Sequence, residues 1–382
     1  MRIAVNTRLL LSDRLDGIGW FTAESVRRMV ASHPEHEFYF FFDRKPNPKF
    51  LTSPNIHPVV LVPQARHPVL WYLFFEWSVT RALKKYNIDL FLSPDGWISL
   101  RTDVPTLTVI HDLNFEHSSG YLRPSHQRYM TRYFPRFAAK ATRVATVSEY
   151  SKMDISKTYD IDSNKIDVVY DGSHDYYRPC SDEEMVATRN SFTAGKPYFI
   201  FVGTISRRKN LTNILLAYDR FRSNHPENGT ALLVVGGRYW WGDELAEAYD
   251  NMRFKSDVYF VGHVGSDVLA KMMGASTALV YASLFEGFGI PILEAFFAET
   301  AVITSSVTSM PEVAGDAALL VDPYSVEAIA DAMGAVSEDD ALRGDLIAKG
   351  RIRRTLFSWD RTASLLWESL MKTYSEKDKK NR

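Results

Sequence analysis

Short, mainly apolar runs that each stop at a glycine or a polar turn recur along this chain, with helix-length segments between them. No other feature restricts its folding as much. In the first half they are Arg2-Ile-Ala-Val5, Glu37-Phe-Tyr-Phe-Phe-Phe42, Val59-Val-Leu-Val62, Leu90-Phe-Leu-Ser93, Thr106-Leu-Thr-Val-Ile110 and Arg143-Val-Ala-Thr-Val147. The second half restarts the pattern with Tyr198-Phe-Ile-Phe-Val202 and continues through Ala231–Gly237, Val258–Gly262, Ala278–Tyr281 and Ala301–Ser306. A strand without an alternating polar face is covered on both faces, as in a parallel sheet flanked by helices. The order therefore predicts an α/β chain with largely parallel sheets. At 382 residues it exceeds one ordinary core, since a domain takes roughly 100–200 residues, so two Rossmann-like domains are expected. The linker-like Arg178-Pro-Cys-Ser-Asp182 divides them into 1–178 and 179–358, with 359–382 as a closing helix and polar tail.

Composition removes several function classes. No apolar run approaches the roughly 18 or more residues that span a bilayer, and Asn6 and Arg8 interrupt the opening strand too early for a signal peptide, so a cytoplasmic protein is expected. A single cysteine, Cys180, excludes an intrachain disulfide and any multi-cysteine metal site. Residues 1–180 hold 23 Lys+Arg against 19 Asp+Glu and the rest hold 22 against 27, a mild asymmetry that does not call for nucleic acid. The one D-x-D, Asp160-Ile-Asp162, lies in a polar loop and reads as structural, so neither a metal site nor a cofactor is expected.

Chemistry concentrates in Ala282-Ser-Leu-Phe-Glu-Gly-Phe-Gly-Ile-Pro-Ile-Leu-Glu-Ala-Phe-Phe297. The run Ala278–Tyr281 leads into it as a strand, and Pro291 suits the first position of a helix whose amides are still free. Those amides and the helix dipole favour an anion, while Gly287 and Gly289 let backbone approach it. Glu286 in the turn and Glu294 one helical turn past Pro291 can face one cavity and accept hydrogen bonds from sugar or ribose hydroxyls. In Gly203-Thr-Ile-Ser-Arg-Arg-Lys-Asn210, also directly after a strand, Arg208 offers a planar fork and Lys209 a mobile ammonium, a pair suited to two phosphates. Both sets are expected to face an open cleft, so that replacing Lys209 or Glu286 leaves the fold intact.

These residues resemble the retaining GT-B glycosyltransferases of family four: the frame F-E-G-F-G-I-P-I-L-E carries their paired glutamates, and V-G-x-x-x-x-R-K-N their phosphate loop. The resemblance implies a cleft between two Rossmann-like domains and a last helix, near Phe357-Ser-Trp-Asp-Arg361, that returns to the first domain. It places Glu286 at the donor sugar and Glu294 on the ribose, with Gly203, Thr204, Arg208 and Lys209 at the diphosphate. The turn Gly287-Phe288-Gly289-Ile290 lies under the donor, and backbone at Gly262-His263-Val264 lies at the base. In the first domain it implies donor contacts for Gly17 and Gly19, in a loop before a helix from about Trp20 to Ala31, although a surface turn is the other reading. His111, directly after a strand, would stand at the donor sugar, and Asp112 would orient its imidazole or hold acceptor hydroxyls. Ser148-Glu-Tyr-Ser151 resembles the family's S-E-x-S turn and reads as a helix cap.

The implied activity is transfer of a hexose from a nucleotide diphosphate sugar to a hydroxyl of a glycan or lipid-linked acceptor, with retention, in surface polysaccharide assembly. Likeness to mannosyl members favours GDP-mannose over a UDP-sugar. A silent nucleotide-sugar-binding subunit, or an epimerase or phosphorylase, are the alternatives. Finally, Arg128, Arg132, Arg136 and Lys140 recur every four residues on one helix face, either solvated or set against an anionic membrane surface, and Pro135 is placed to break that helix.

Overall fold

Among the described residues of a computed structural model, thirteen strands form two sheets and every strand pairing is parallel. The structure describes residues 1–11, 15–118, 122–237 and 241–380, with side chains as far as 376. The chain divides into two compact units, one of residues 1–172 and 359–382, the other of residues 173–358.

In the first unit the strands are β1 (Arg2–Asn6), β2 (Glu37–Phe42), β3 (Ile56–Val60), β4 (Leu90–Ser93), β5 (Thr106–Val109), β6 (Arg143–Thr146) and β7 (Ile166–Val168), in the order β3-β2-β1-β4-β5-β6-β7. β4, β5 and β6 are buried at every position, as central strands of a parallel sheet covered on both faces are. β3 lies earlier than Val59–Val62 and contains Pro58, opposite Phe40. A proline without an N–H is tolerated there because β3 is an edge strand. The core gathers Phe41, Phe74, Phe91, Phe137 and Val144 between sheet and helices.

The helix expected from Trp20 begins at Gly17, three residues earlier, because the Asp16 side chain accepts from Gly19 N at 2.8 Å and caps it. The part of the preceding loop at residues 12–14 lies outside the described residues. Pro135 does not break its helix, which runs unbroken over Pro124–Lys140 while Tyr129, Phe134, Phe137 and Ala138 anchor its inner face. The last helix, Trp359–Lys380, belongs to the first unit and packs on the helix Gly17–Ser32 and on β4, β5 and β6. It extends into the polar tail, of which residues 381–382 lie outside the described residues.

The second unit holds β8 (Tyr198–Val202), β9 (Ala231–Val235), β10 (Val258–Gly262), β11 (Ala278–Tyr281), β12 (Ala301–Ser305) and β13 (Leu319–Val321), ordered β10-β9-β8-β11-β12-β13. The helix Leu211–Asn224 buries Leu211, Ile214, Leu215, Tyr218 and Phe221, the 3.6-residue stripe that lays it on this sheet. The unit starts at Ser173 rather than 179. Its first helix, Asp182–Thr193, opens with a capping box of Ser181 and Glu184, so the expected linker is already ordered structure.

Candidate active site

In the second unit the strand order reverses between β8 and β11, and open α/β sheets bind ligands beyond the carboxyl ends of the strands at such a point. Two loops meet there, residues 203–210 after β8 and 282–289 after β11. Leu284 N donates to Arg208 O at 2.8 Å, and Arg208 Nη1 donates to Phe285 O at 2.6 Å, which ties the loops together. Asn210, at φ +60°, donates from Nδ2 to Ala282 O and Pro323 O. Close approach of backbone builds the floor: a Cβ on Gly236 (φ +149°) would lie 1.9 Å from Gly203 O, a position open to glycine alone. Gly236 N also donates to Gly262 O at 2.8 Å, so the end of β10 is linked to the same floor.

Charge is concentrated on Glu286, which is 7% exposed. Arg208 Nη1 lies 2.6 Å from Oε2 and Lys209 Nζ 2.7 Å from Oε1, so each carboxylate oxygen has its own cation. Burial alone would raise this carboxyl, but Arg208 and Lys209 outweigh it and hold Glu286 down at about 2. Lys209 also donates to the Tyr281 hydroxyl and lies 4.5 Å from its ring centroid. Burial, reinforced by Glu286, keeps that phenol neutral well above its usual range. Ser309 Oγ donates to Glu286 O at 2.9 Å and to Phe288 O at 3.1 Å, and Glu286 N donates to Thr308 Oγ1 at 3.3 Å. The turn that carries the glutamate is thus fixed from β12's side.

The helix Ile290–Phe297 starts after Gly289 (φ +105°) with Pro291 in its first turn and no side-chain cap, leaving its N-terminal dipole for a ligand. Glu294 is on this helix. Burial pushes its carboxyl up to about 7, against the smaller opposing effects of the Tyr177 hydroxyl and Lys209. Gly203, Arg208, Lys209, Glu286, Gly287, Gly289, Ile290 and Glu294 therefore come together on two loops and one helix start. The Phe288 ring is buried edge-on to Phe357 at 5.6 Å, so this residue offers its backbone. Thr204 is exposed beside Gly203, while Gly262, His263 and Val264 stand two strands from β8, off the end of β10.

In the first unit His111 follows β5. Its Nε2 is 2.8 Å from Pro94 O, and its ring meets Phe21 edge-on at 4.9 Å. Burial lowers its pKa below the usual histidine range, so the neutral imidazole donates from Nε2 to that carbonyl and keeps Nδ1 as an acceptor. The Pro94 carbonyl, rather than Asp112, orients the ring. Asp112 Oδ1 accepts from Asn114 N at 3.1 Å and Asn114 Nδ2 at 2.6 Å, a turn-forming role. Gly17 and Gly19 lie in the first helical turn, where a Cβ on Gly19 would come 3.0 Å from Leu15 Cδ2.

Ser148 caps the helix Glu149–Tyr159 through Ser151 N. Asp160 ends that helix in the left-handed region and Asp162 accepts from Asn164 N, so both aspartates are turn residues. Among the described residues no three His, Cys, Asp or Glu side chains converge as a metal site.

Sequence reasoning missed Tyr281 and Tyr177. Tyr281 is the last residue of the strand entering the motif, a position that itself signals a site. Tyr177 directly precedes the stretch read as linker. It also missed Asn6, Arg8 and Asp95, buried at the corresponding reversal of the first sheet between β1 and β4. There Asn6 Nδ2 donates to Asp95 Oδ1 at 2.8 Å, and Arg8 Nε lies 2.6 Å from Asp95 Oδ2. Polar residues at the ends of apolar strands were the available signal.

Comparison with known proteins agrees with this geometry. Residues 15–173 match the family Glycosyltransferase Family 4 and residues 184–353 match Glycosyl transferases group 1. The chain is 28% identical over 361 residues to O-antigen chain mannosyltransferase B of Escherichia coli, covering 91% of this chain and 93% of that protein. It is also 28% identical over 277 residues to O-antigen chain mannosyltransferase RfbU of Salmonella typhimurium, 72% of each. Among solved structures, sucrose-phosphate synthase from Thermosynechococcus elongatus superposes with a TM-score of 0.80 at 19% identity over 98% of this chain and 99% of that one. WaaG, a glycosyltransferase involved in lipopolysaccharide biosynthesis, superposes with 0.74 at 16% over 96% and 99%. The fold is GT-B.

Proposed function

Because the chain belongs to the glycosyl transferases of group 1, with a Glycosyltransferase Family 4 domain as its N-terminal part, we propose that it transfers mannose from GDP-mannose to a hydroxyl of a growing, lipid-linked O-antigen glycan, with retention of configuration. The observation that carries the reading is Glu286 held between Arg208 and Lys209 where the second sheet reverses. Arg208 and Lys209 are the cations set at this turn, and they engage the donor diphosphate as its charge grows. Glu286 stays ionised at any working pH, so it receives sugar hydroxyls and faces the positive charge of an oxocarbenium-like transition state rather than donating a proton. Glu294 takes the ribose hydroxyls. The acceptor's proton passes to the departing phosphate oxygen as the new bond forms on the same face. The work is done at the cytoplasmic membrane surface, where a lipid-linked acceptor is presented.

The test is transfer from GDP-mannose and from UDP-hexoses to a soluble fragment of the acceptor glycan, with the product anomer read by NMR. A nucleotide at about 100 times its Kd adds roughly 2.7 kcal/mol to stability, readable as a rise in Tm. A shift with UDP and none with GDP removes the mannose assignment. An inverted product removes retention.

A further inference from the structure

We infer that the first unit docks on an anionic bilayer through a ridge of exposed apolar side chains on the helical stretch Pro68–Lys85. This deepens the membrane part of the reading above and is independent of the sugar-transfer chemistry. The stretch is α-helical over Pro68–Leu73, passes through a wider π-helical turn at Phe74–Val79 and is α-helical again over Thr80–Lys85. Trp71, Phe74, Phe75, Val79 and Leu83 bury one face in the core. The opposite face carries Val69 (61% exposed), Leu73 (39%) and Trp77 (45%), each four residues after the last. Val62, 73% exposed, adjoins the ridge, because Ser78 Oγ donates to its carbonyl.

Cations surround this ridge. Arg81 and Arg101 reach over the Trp77 ring, at 5.6 and 5.2 Å from its centroid. Arg101 also donates to the Tyr72 hydroxyl at 3.3 Å, and Tyr72 meets Tyr133 on the helix Pro124–Lys140 at 6.3 Å. Arg132 and Arg136 flank Tyr133 at 5.8 and 5.6 Å, so their exposed row continues the same surface. The acids nearby cancel this charge only in part. Glu76 is buried, accepts from Leu100 N at 3.0 Å and faces Arg101 at 3.8 Å, Asp103 meets Lys140 at 3.6 Å, and the helix Pro124–Lys140 has no Asp or Glu.

An exposed tryptophan between aliphatic side chains, ringed by arginines whose stems can lie along it, matches the layered chemistry of an anionic lipid interface, apolar below and negatively charged above. Each basic residue close to such a surface strengthens partitioning about fivefold.

The experiment sediments the full chain with vesicles of phosphatidylcholine alone and of phosphatidylcholine containing phosphatidylglycerol. Binding is expected to the anionic vesicles and to weaken with salt. The exposed pair Arg132→Gln with Arg136→Gln should lower it about 25-fold, and Leu73→Ser with Trp77→Ser tenfold or more. Both variants should keep wild-type melting and transfer to a soluble acceptor. Equal binding to both vesicles, no binding, or binding unchanged in the two variants overturns the inference. So does a dimer that Leu73→Ser with Trp77→Ser dissolves, since the ridge would then belong to a second copy. Vesicle binding without sugar transfer would count against the transferase reading alone, and transfer without vesicle binding against this inference alone.

Discussion

Glu294 titrates in the range where enzymes work, and its proposed task requires the charged form. Burial holds its carboxyl at about 7, with Tyr177 and Lys209 as the groups that oppose the rise. A carboxylate accepting two ribose O–H bonds is favoured over the acid, so a bound nucleotide sugar should lower this pKa and release a proton. If only the carboxylate binds, the competent fraction is about 0.1 at pH 6, about half at pH 7 and about 0.9 at pH 8. Affinity should then rise roughly tenfold from pH 6 to pH 8. GDP-mannose is the suitable titrant because its diphosphate diester does not itself titrate there. Calorimetry at pH 7 in two buffers of different ionisation enthalpy should show about half a proton released. Glu294→Gln, neutral throughout, should bind about 10–100-fold more weakly at pH 8, the usual range for hydrogen bonds to a charged group, and show a flat profile. A wild-type affinity that is flat or falls with pH, or a Gln variant with the same slope, would refute the assignment of Glu294 to the ribose.

Lys209→Ala should lower kcat about 10²–10³-fold, since a preorganised cation at a developing charge carries that much, and wild-type turnover would remove it from the mechanism. Glu286→Gln should cost stability as well as turnover, contrary to the expectation that this position tolerates replacement. A carboxyl lowered from 4.5 to about 2 contributes up to about 3 kcal/mol above pH 4.5, and that contribution is lost as pH falls through about 2. Urea denaturation at pH 7 should therefore show a lower midpoint for the variant, with the gap narrowing towards pH 3. Gly236→Ala places a methyl 1.9 Å from Gly203 O at φ +149°, so it should shift the 203–210 loop, weaken nucleotide binding and cost at least about 1–3 kcal/mol of stability; unchanged melting and Kd would contradict the close-packed floor.

The layered α/β architecture was legible because fully buried strands have a local signature, and Tyr198–Val202, Val258–Gly262 and Ala278–Tyr281 begin and end where their apolar runs do. Misplaced boundaries trace to non-local causes. Pro58 argues against a strand unless it lies at a sheet edge, and an edge is a property of the whole sheet. Gly17 begins a helix because Asp16 caps it, although glycine propensity argues for a loop. Pro135 stays helical because Phe134 and Phe137 are held in the core. At the site, the glutamates and the basic pair were legible as motifs. Their ion pairs, Lys209–Glu286 and Arg208–Glu286, join distant parts of the chain and were not, nor was the floor, which depends on two glycines, 203 and 236, just past the ends of neighbouring strands.

Those ion pairs bear on how one small site can serve opposite charges. Glu286 neutralises one of two cations, which holds Arg208 and Lys209 close to where the proposed diphosphate arrives. Guanidinium and ammonium form charge-assisted hydrogen bonds with phosphate as well as with carboxylate. As the glycosidic bond lengthens, negative charge grows on the phosphate and positive charge on the sugar ring. In the proposed mechanism the cations would strengthen their hold on the first while the carboxylate would face the second, so both interactions would be stronger in the transition state than with bound donor, which is the condition for raising kcat. A carboxyl with an ordinary pKa would be partly protonated in mild acid and would lose half of this arrangement. One held at about 2 keeps it through mild acid.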